Sequence, residues 1–233
     1  MTEVRTPHTT VPFDLYRDIH KAIRVALFDV VTEAGNLDPN DCTARIAHAT
    51  RVHELVKFLV FHAAHEDEHL DEAIRQVLPD AAAEIAAEHV ALEERMAGLI
   101  ELADLAFAAD HDDARAAMHD LYLDLASFTS AYLAHQEVEE RVVMPALWNA
   151  FGIEPLLGIH GAILGSISPD DMGWCLSKML PAMNVDDRTE MLGGMRASAP
   201  PEAFAGVCAL AQQVLKETDF AALTNRLDLQ PGA

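Results

Sequence analysis

The sequence predicts an all-α protein: an antiparallel up-down four-helix bundle over residues 1–150 and an additional C-terminal helical region over 151–233. Three observations predict it. Pro12, Pro39, Pro79 and Pro145 leave long proline-free intervals between them. Within each interval apolar residues recur at helical spacing. No sustained alternating run of β-branched residues reads as a strand.

The first helix carries Tyr16, His20, Ile23, Leu27 and Val31 on one face, and Gly35-Asn36 ends it. Asp38-Pro39 then offers an N-cap and a first-turn proline for the second helix. That helix aligns Leu55, Leu59, His62, Glu66 and His69, and runs to Pro79-Asp80. The next interval, roughly 65 residues, is too long for one ordinary helix. It divides at Asp110-His111-Asp112-Asp113, whose acidic side chains suit a helix N-terminus. Its first half aligns Ile85, His89, Leu92 and Met96; its second aligns Leu121, Leu125, Phe128, Tyr132, His135, Glu139 and Val142.

After Phe151-Gly152 the composition shifts toward Gly, Pro and Met. Helix starts stand at Ser168-Pro169-Asp170-Asp171, at Asn184-Val185-Asp186-Asp187 and after Ala199-Pro200-Pro201. Shorter helices of roughly 8 to 17 residues are expected there. This region is expected to pack against the bundle or to make a homodimer contact.

Composition excludes several functions. The 233 residues hold Lys+Arg 16 against Asp+Glu 38, a formal net charge of −22. Such a chain cannot neutralise a row of phosphates, so nucleic acid is excluded as a partner. Anionic membrane surfaces are disfavoured for the same reason. Hydrophobic residues make up 51%, too many for a disordered acidic chain. No run of 18 apolar residues forms a membrane span, and the polar N-terminal stretch lacks an apolar signal core. Cys42, Cys175 and Cys208 are scattered and odd in number, as expected of a cytoplasmic protein without disulfides. No Gly-x-Gly-x-x-Gly or phosphate-loop pattern appears.

Histidine is the anomaly, twelve in all with eleven before residue 150. Each bundle helix places one at mid-length on its apolar stripe: His20, His62, His89 and His135. Two are followed one turn later by a carboxylate, Glu66 and Glu139. Side chains at i and i+4 stack on one helix face about 6 Å apart. A lone carboxylate on an apolar stripe would raise its pKa or cost about several kcal/mol. Two carboxylates among four imidazoles are tolerable around cations, and this donor set suits iron, manganese or zinc better than calcium or magnesium.

Two other metal patterns compete. His65-Glu66-Asp67-Glu68-His69 is a literal His-Glu-x-x-His, the zinc-metallopeptidase string with Glu66 as general base. It leaves His20, His89 and the His135/Glu139 pair without a role. A ferritin-like carboxylate site needs two Glu-x-x-His pairs, and only Glu66-x-x-His69 is present. The remaining His8, His48, His53, His111 and His119 are expected to be solvated, and His160 to be a linker or packing residue. Trp148, Trp174 and the methionines Met172, Met179, Met183, Met191 and Met195 read as packing groups.

Over residues 12–149 the ordered set His, His-x-x-x-Glu, His, His-x-x-x-Glu resembles the hemerythrin-like family, the HHE cation-binding domains. Tyr16-Arg17-Asp18-Ile19-His20-Lys21 is similar to its first helix, and His62 through Leu70 to its second. His135 to Pro145, with Glu139-Glu140 and Val143-Met144-Pro145, is similar to its fourth. The resemblance implies a bundle around two non-haem irons, oxo- or hydroxo-bridged, with His20, His62, His89 and His135 as ligands and Glu66 and Glu139 bridging. It implies binding, sensing or processing of O2, peroxide or nitric oxide, with an iron store or redox-sensing interaction module as the alternative. Respiratory members carry a further histidine four residues after the third-helix one, and here that place is Glu93. His65, His69, Glu93 or Tyr132 could fill it, or it stays open. Four imidazoles, two bridging carboxylates and a bridging oxide supply ten of the roughly twelve bonds that two six-coordinate irons take. About two are left for solvent or an incoming ligand.

Overall fold

Proline-free intervals and apolar stripes become helices in a computed structural model of the chain, which describes residues 11–229. Every regular element among them is helical. The four long ones are α1 (Arg17–Asn36), α2 (Cys42–His69), α4 (Pro79–Ala108) and α5 (His111–Val138), with the short α3 (Asp71–Val77) between α2 and α4. A π-helical segment (Glu139–Val143) joins α5 to α6 (Met144–Phe151). Then come α7 (Ile153–Ser166), α8 (Pro169–Ala182), α9 (Val185–Ser198), α10 (Pro201–Val214) and α11 (Glu217–Arg226). No single helix among the described residues is long and apolar enough to cross a membrane.

The described residues form two compact units, residues 11–17 with 23–164 and residues 18–22 with 165–229. In the first, α2 packs on α4, α4 on α5, and α3 on both α4 and α6. A buried layer of Tyr16, Leu70, Ile74, Ile85, Met144 and Leu147 gathers the short elements. Gly35 lets α1 approach α5, since a Cβ there would stand 3.2 Å from the Tyr122 ring.

In the second unit, Leu176, Leu180, Leu192, Leu215 and Leu223 form a core with Met172, Met179 and Met191 packed around it. The helix starts at Ser168 and Asn184 are real N-caps, the latter in a capping box with Asp187. Buried Arg188 donates from Nε to the Leu180 carbonyl at 2.7 Å, satisfying an orphan group near the end of α8. The cysteines are free thiols, and burial pushes Cys175 up to about 12.

The second helix begins later than the sequence suggests. Asp38 Oδ1 accepts from the Asn40 N–H at 2.9 Å, so Asp38-Pro39 makes a turn, and the N-cap is Asp41, accepting from Ala44 N–H at 3.0 Å. The interval before Pro79 is also interrupted. Leu70 leaves the helix at φ −108°, buried with Ile74 in the core, and α3 starts anew.

Pro145 does not end the fourth helix. A proline lacks an N–H and its ring clashes with the carbonyl four residues back, here Arg141. The π-helical segment widens the turn at that place, with Met144 N–H bonded to the Glu139 carbonyl five residues back. The helix then runs to Gly152, whose φ of +68° suits a residue without a Cβ.

Candidate metal centre

The four histidines are displaced from mid-length toward one end of their helices, His20 and His135 most. His20 lies in the first turn of α1 and His89 in the first half of α4. His62 and His135 lie near the C-terminal ends of α2 and α5. Glu66 follows His62 by one turn, and Glu139 opens the π-helical segment, so an unusual turn sits where the fourth helix presents its carboxylate. Arg24 of α1 clamps that segment through two bonds to Glu140, at 2.7 and 2.9 Å.

The structure brings all six together. His20, His62, Glu66 and Glu139 form one group that could hold a metal ion, and Glu66, His89, His135 and Glu139 form another. Within each group the donor atoms lie within 4.8 Å of one another, and both glutamates belong to both groups. All six are buried, from 0% exposure at His20 to 7% at His62 and Glu66. His62 Nε2 stands 3.1 Å from Glu66, and His135 Nε2 stands 3.1 Å from Glu139. His89 and His135 turn their Nε2 atoms to within 3.1 Å of each other.

The outer ring nitrogens are also held. His89 Nδ1 lies 2.7 Å from Asp67, and His135 Nδ1 lies 2.8 Å from Glu88. A carboxylate on Nδ1 fixes the tautomer, aims Nε2 inward and raises the ring's basicity. Sequence reading missed Asp67 and Glu88. Both are about half exposed and resemble ordinary surface acids, and the only signal was adjacency, since each precedes or follows a candidate ligand.

Tyr16 was also missed as a site residue, although it stands one turn before His20. It is 1% exposed. Burial, then the charges of Glu139, Glu66 and Asp14, hold its phenol well above the ordinary value. Tyr132 is the auxiliary residue that does reach the centre. Its ring is 5.9 Å from that of His135, and burial and then Glu66 and Glu139 raise its pKa.

Neither donor group takes in His65, His69 or Glu93. His65 puts Nδ1 on the Phe61 carbonyl at 2.7 Å, and Glu93 is exposed. With Glu66 turned to His62 and His89 instead, the His-Glu-x-x-His string does not converge. His48, expected to be solvated, has no exposure and sets Nδ1 3.1 Å from Glu33. His53, His111 and His119 are exposed, and His8 lies outside the described residues. His160 meets Phe13 edge to face, a packing role.

The family model for the hemerythrin HHE cation binding domain matches residues 11–160. The chain belongs to that family. Comparison with curated proteins and with solved structures returned no match.

The donor set fits the cations that name the hemerythrin HHE family. Imidazole and carboxylate together suit borderline metals, and buried carboxylates at this density are costly without positive charge nearby. Protonation of His135 supplies some of that charge in the metal-free hemerythrin-like protein. Burial alone would lower its pKa, but the hydrogen bond and charge of Glu139, then Glu88 and Glu66, raise it to about 9. The proton stabilises the metal-free fold fully below about pH 6.5, and that contribution is lost as pH rises through about 9. A cation at the same nitrogen must displace it. Apparent metal affinity is therefore expected to rise about tenfold per pH unit up to about 9 and then level off. Competition titration against a chromophoric chelator checks this, and pH-independent affinity would contradict it.

Proposed function

We propose that the chain is a non-haem iron protein. His20, His62, Glu66, His89, His135 and Glu139 hold two iron ions, and the centre binds, senses or processes O2, peroxide or nitric oxide. The observation that carries this reading is the pair of buried donor groups sharing both glutamates. The scaffold is an antiparallel up-down bundle of α1, α2, α4 and α5. Supporting it, the candidate ligands fall in the N-terminal halves of α1 and α4 and in the C-terminal halves of α2 and α5.

Bound iron supplies a redox-active Lewis acid that can accept a small oxygen or nitrogen ligand. The chain supplies the rest. Glu66 and Glu139 bring negative charge to both positions. Asp67 and Glu88 orient the imidazoles of His89 and His135. Tyr16 and Tyr132 stay protonated at neutral pH, so each phenol beside the centre keeps its proton. Glu93 points to solvent, which leaves the further-histidine place of the respiratory proteins to an incoming ligand. The cleft that reaches the donors is narrow, with room for a group about the size of a water and not for a peptide.

Metal analysis of freshly purified protein is expected to give about two irons per chain. Near-ultraviolet absorption should appear with iron and vanish on its removal. One tightly held zinc per chain and no iron would refute the reading. Steady-state consumption of peroxide or nitric oxide marks an enzyme, whereas stoichiometric binding alone marks a sensor or store.

A further inference from the structure

A cleft beside α3 and α4 reaches the donors. Its floor is Glu66, Glu139 and His89, with Tyr16 beside them. At the outer end stand Asp67, 55% exposed, and Asp71, 31% exposed. Ala86, exposed on α4, lies at the rim, and the walls between are apolar, from α3 and α4. Carboxylates therefore stand at both ends of the cleft, Asp67 and Asp71 outside and Glu66 and Glu139 inside, and no Lys or Arg lines it. Arg75 is held on the outer side by Asp71 and Glu72.

We propose that this cleft is the port through which a divalent cation enters the centre. The inference rests on the reading of the centre as a metal site. Three features point to a cation. The cleft has room for little more than a water, so an ion that enters must shed hydration, and the carboxylate oxygens at its two ends can replace those waters. Asp71, Asp67, Glu66 and Glu139 are placed to do so. Asp67 also holds His89 at Nδ1, so the side chain that meets the ion at the mouth fixes an imidazole at the floor. A chain of net charge −22 further concentrates cations at its surface.

The test mixes chelator-stripped full-length protein with ferrous iron under anaerobic conditions and follows uptake in time. Ala86→Phe fills an exposed rim position, so the fold should tolerate it. Its uptake rate is expected to fall at least about tenfold, while final iron content and thermal midpoint match wild type. Ala87→Phe, exposed on the same helix but outside the cleft, should load at the wild-type rate. Asp71→Asn should load about threefold to tenfold more slowly, with a weaker dependence on ionic strength. Unchanged uptake in both Ala86→Phe and Asp71→Asn overturns the port. So does slowed nitric oxide binding to preloaded Ala86→Phe with normal iron uptake, since the passage would then serve the neutral ligand. A wild-type protein that takes up no iron fails the metal reading itself, a distinct result.

Discussion

Glu139→Ala is expected to abolish stable iron loading, leaving well under one ion per chain after dialysis, against about two expected of wild type. Glu139 belongs to both donor groups, so one substitution takes a ligand from each. What remains at either position is two imidazoles and a share of Glu66. Loss of a group that merely orients a ligand costs about 10–100-fold in metal affinity, and loss of a shared ligand should exceed that at both positions. The metal-free fold should respond differently. Glu139 is 1% exposed, and deleting it removes a buried charge. His135 then loses the strongest of the contacts that raise its pKa, which falls. The metal-free midpoint should stay within about 5 °C of wild type, roughly one to two kcal/mol for a chain of this size. Elemental analysis and calorimetry on both forms check the pair of outcomes. Glu139→Ala with two irons would remove Glu139 from the centre, and collapse of the metal-free form would make its role structural.

The residues that sequence reading placed best are those fixed by periodicity. His20, His62, Glu66, His89, His135 and Glu139 share stripes with buried apolar residues, and burial of the stripe carries the polar residue inward with it. What escaped depends on tertiary contact. Asp67 and Glu88 lie off the stripes, and only the packing of α2 on α4 and of α4 on α5 sets them against an imidazole. His48 looked like a surface histidine because nothing local distinguishes it from His53, yet α1 covers it and offers Glu33. Pro145 reads locally as a terminator. The widened turn before it is a way to keep a helix that is worth keeping, since Met144 and Leu147 beyond it are fully buried. The break at Leu70 has the same origin, a core that competes with helix continuation. That break also separates α3, whose Asp71 flanks the cleft.

Stripping the metal is expected to lower the thermal midpoint by about 8–16 °C. The donors are assembled in the fold and dispersed in the unfolded chain, so cation affinity for the centre is stability of the folded state. At free iron about a thousandfold above the dissociation constant, linkage contributes about 4 kcal/mol. A chain of this size shifts about 2–4 °C per kcal/mol. The metal-free state keeps two glutamates, at 7% and 1% exposure, buried without the balancing charge of a cation. The loss should therefore be localised. Amides around Glu66, His89 and Glu139 should lose hydrogen-exchange protection first, while the core of Leu176, Leu180 and Leu192 in the second unit keeps its own. Scanning calorimetry with and without a strong chelator measures the shift, and exchange mapped by peptide locates it. Equal midpoints in both buffers would mean that the buried carboxylates are tolerated without a cation. The cost argument for a metal at this centre would then fail with them.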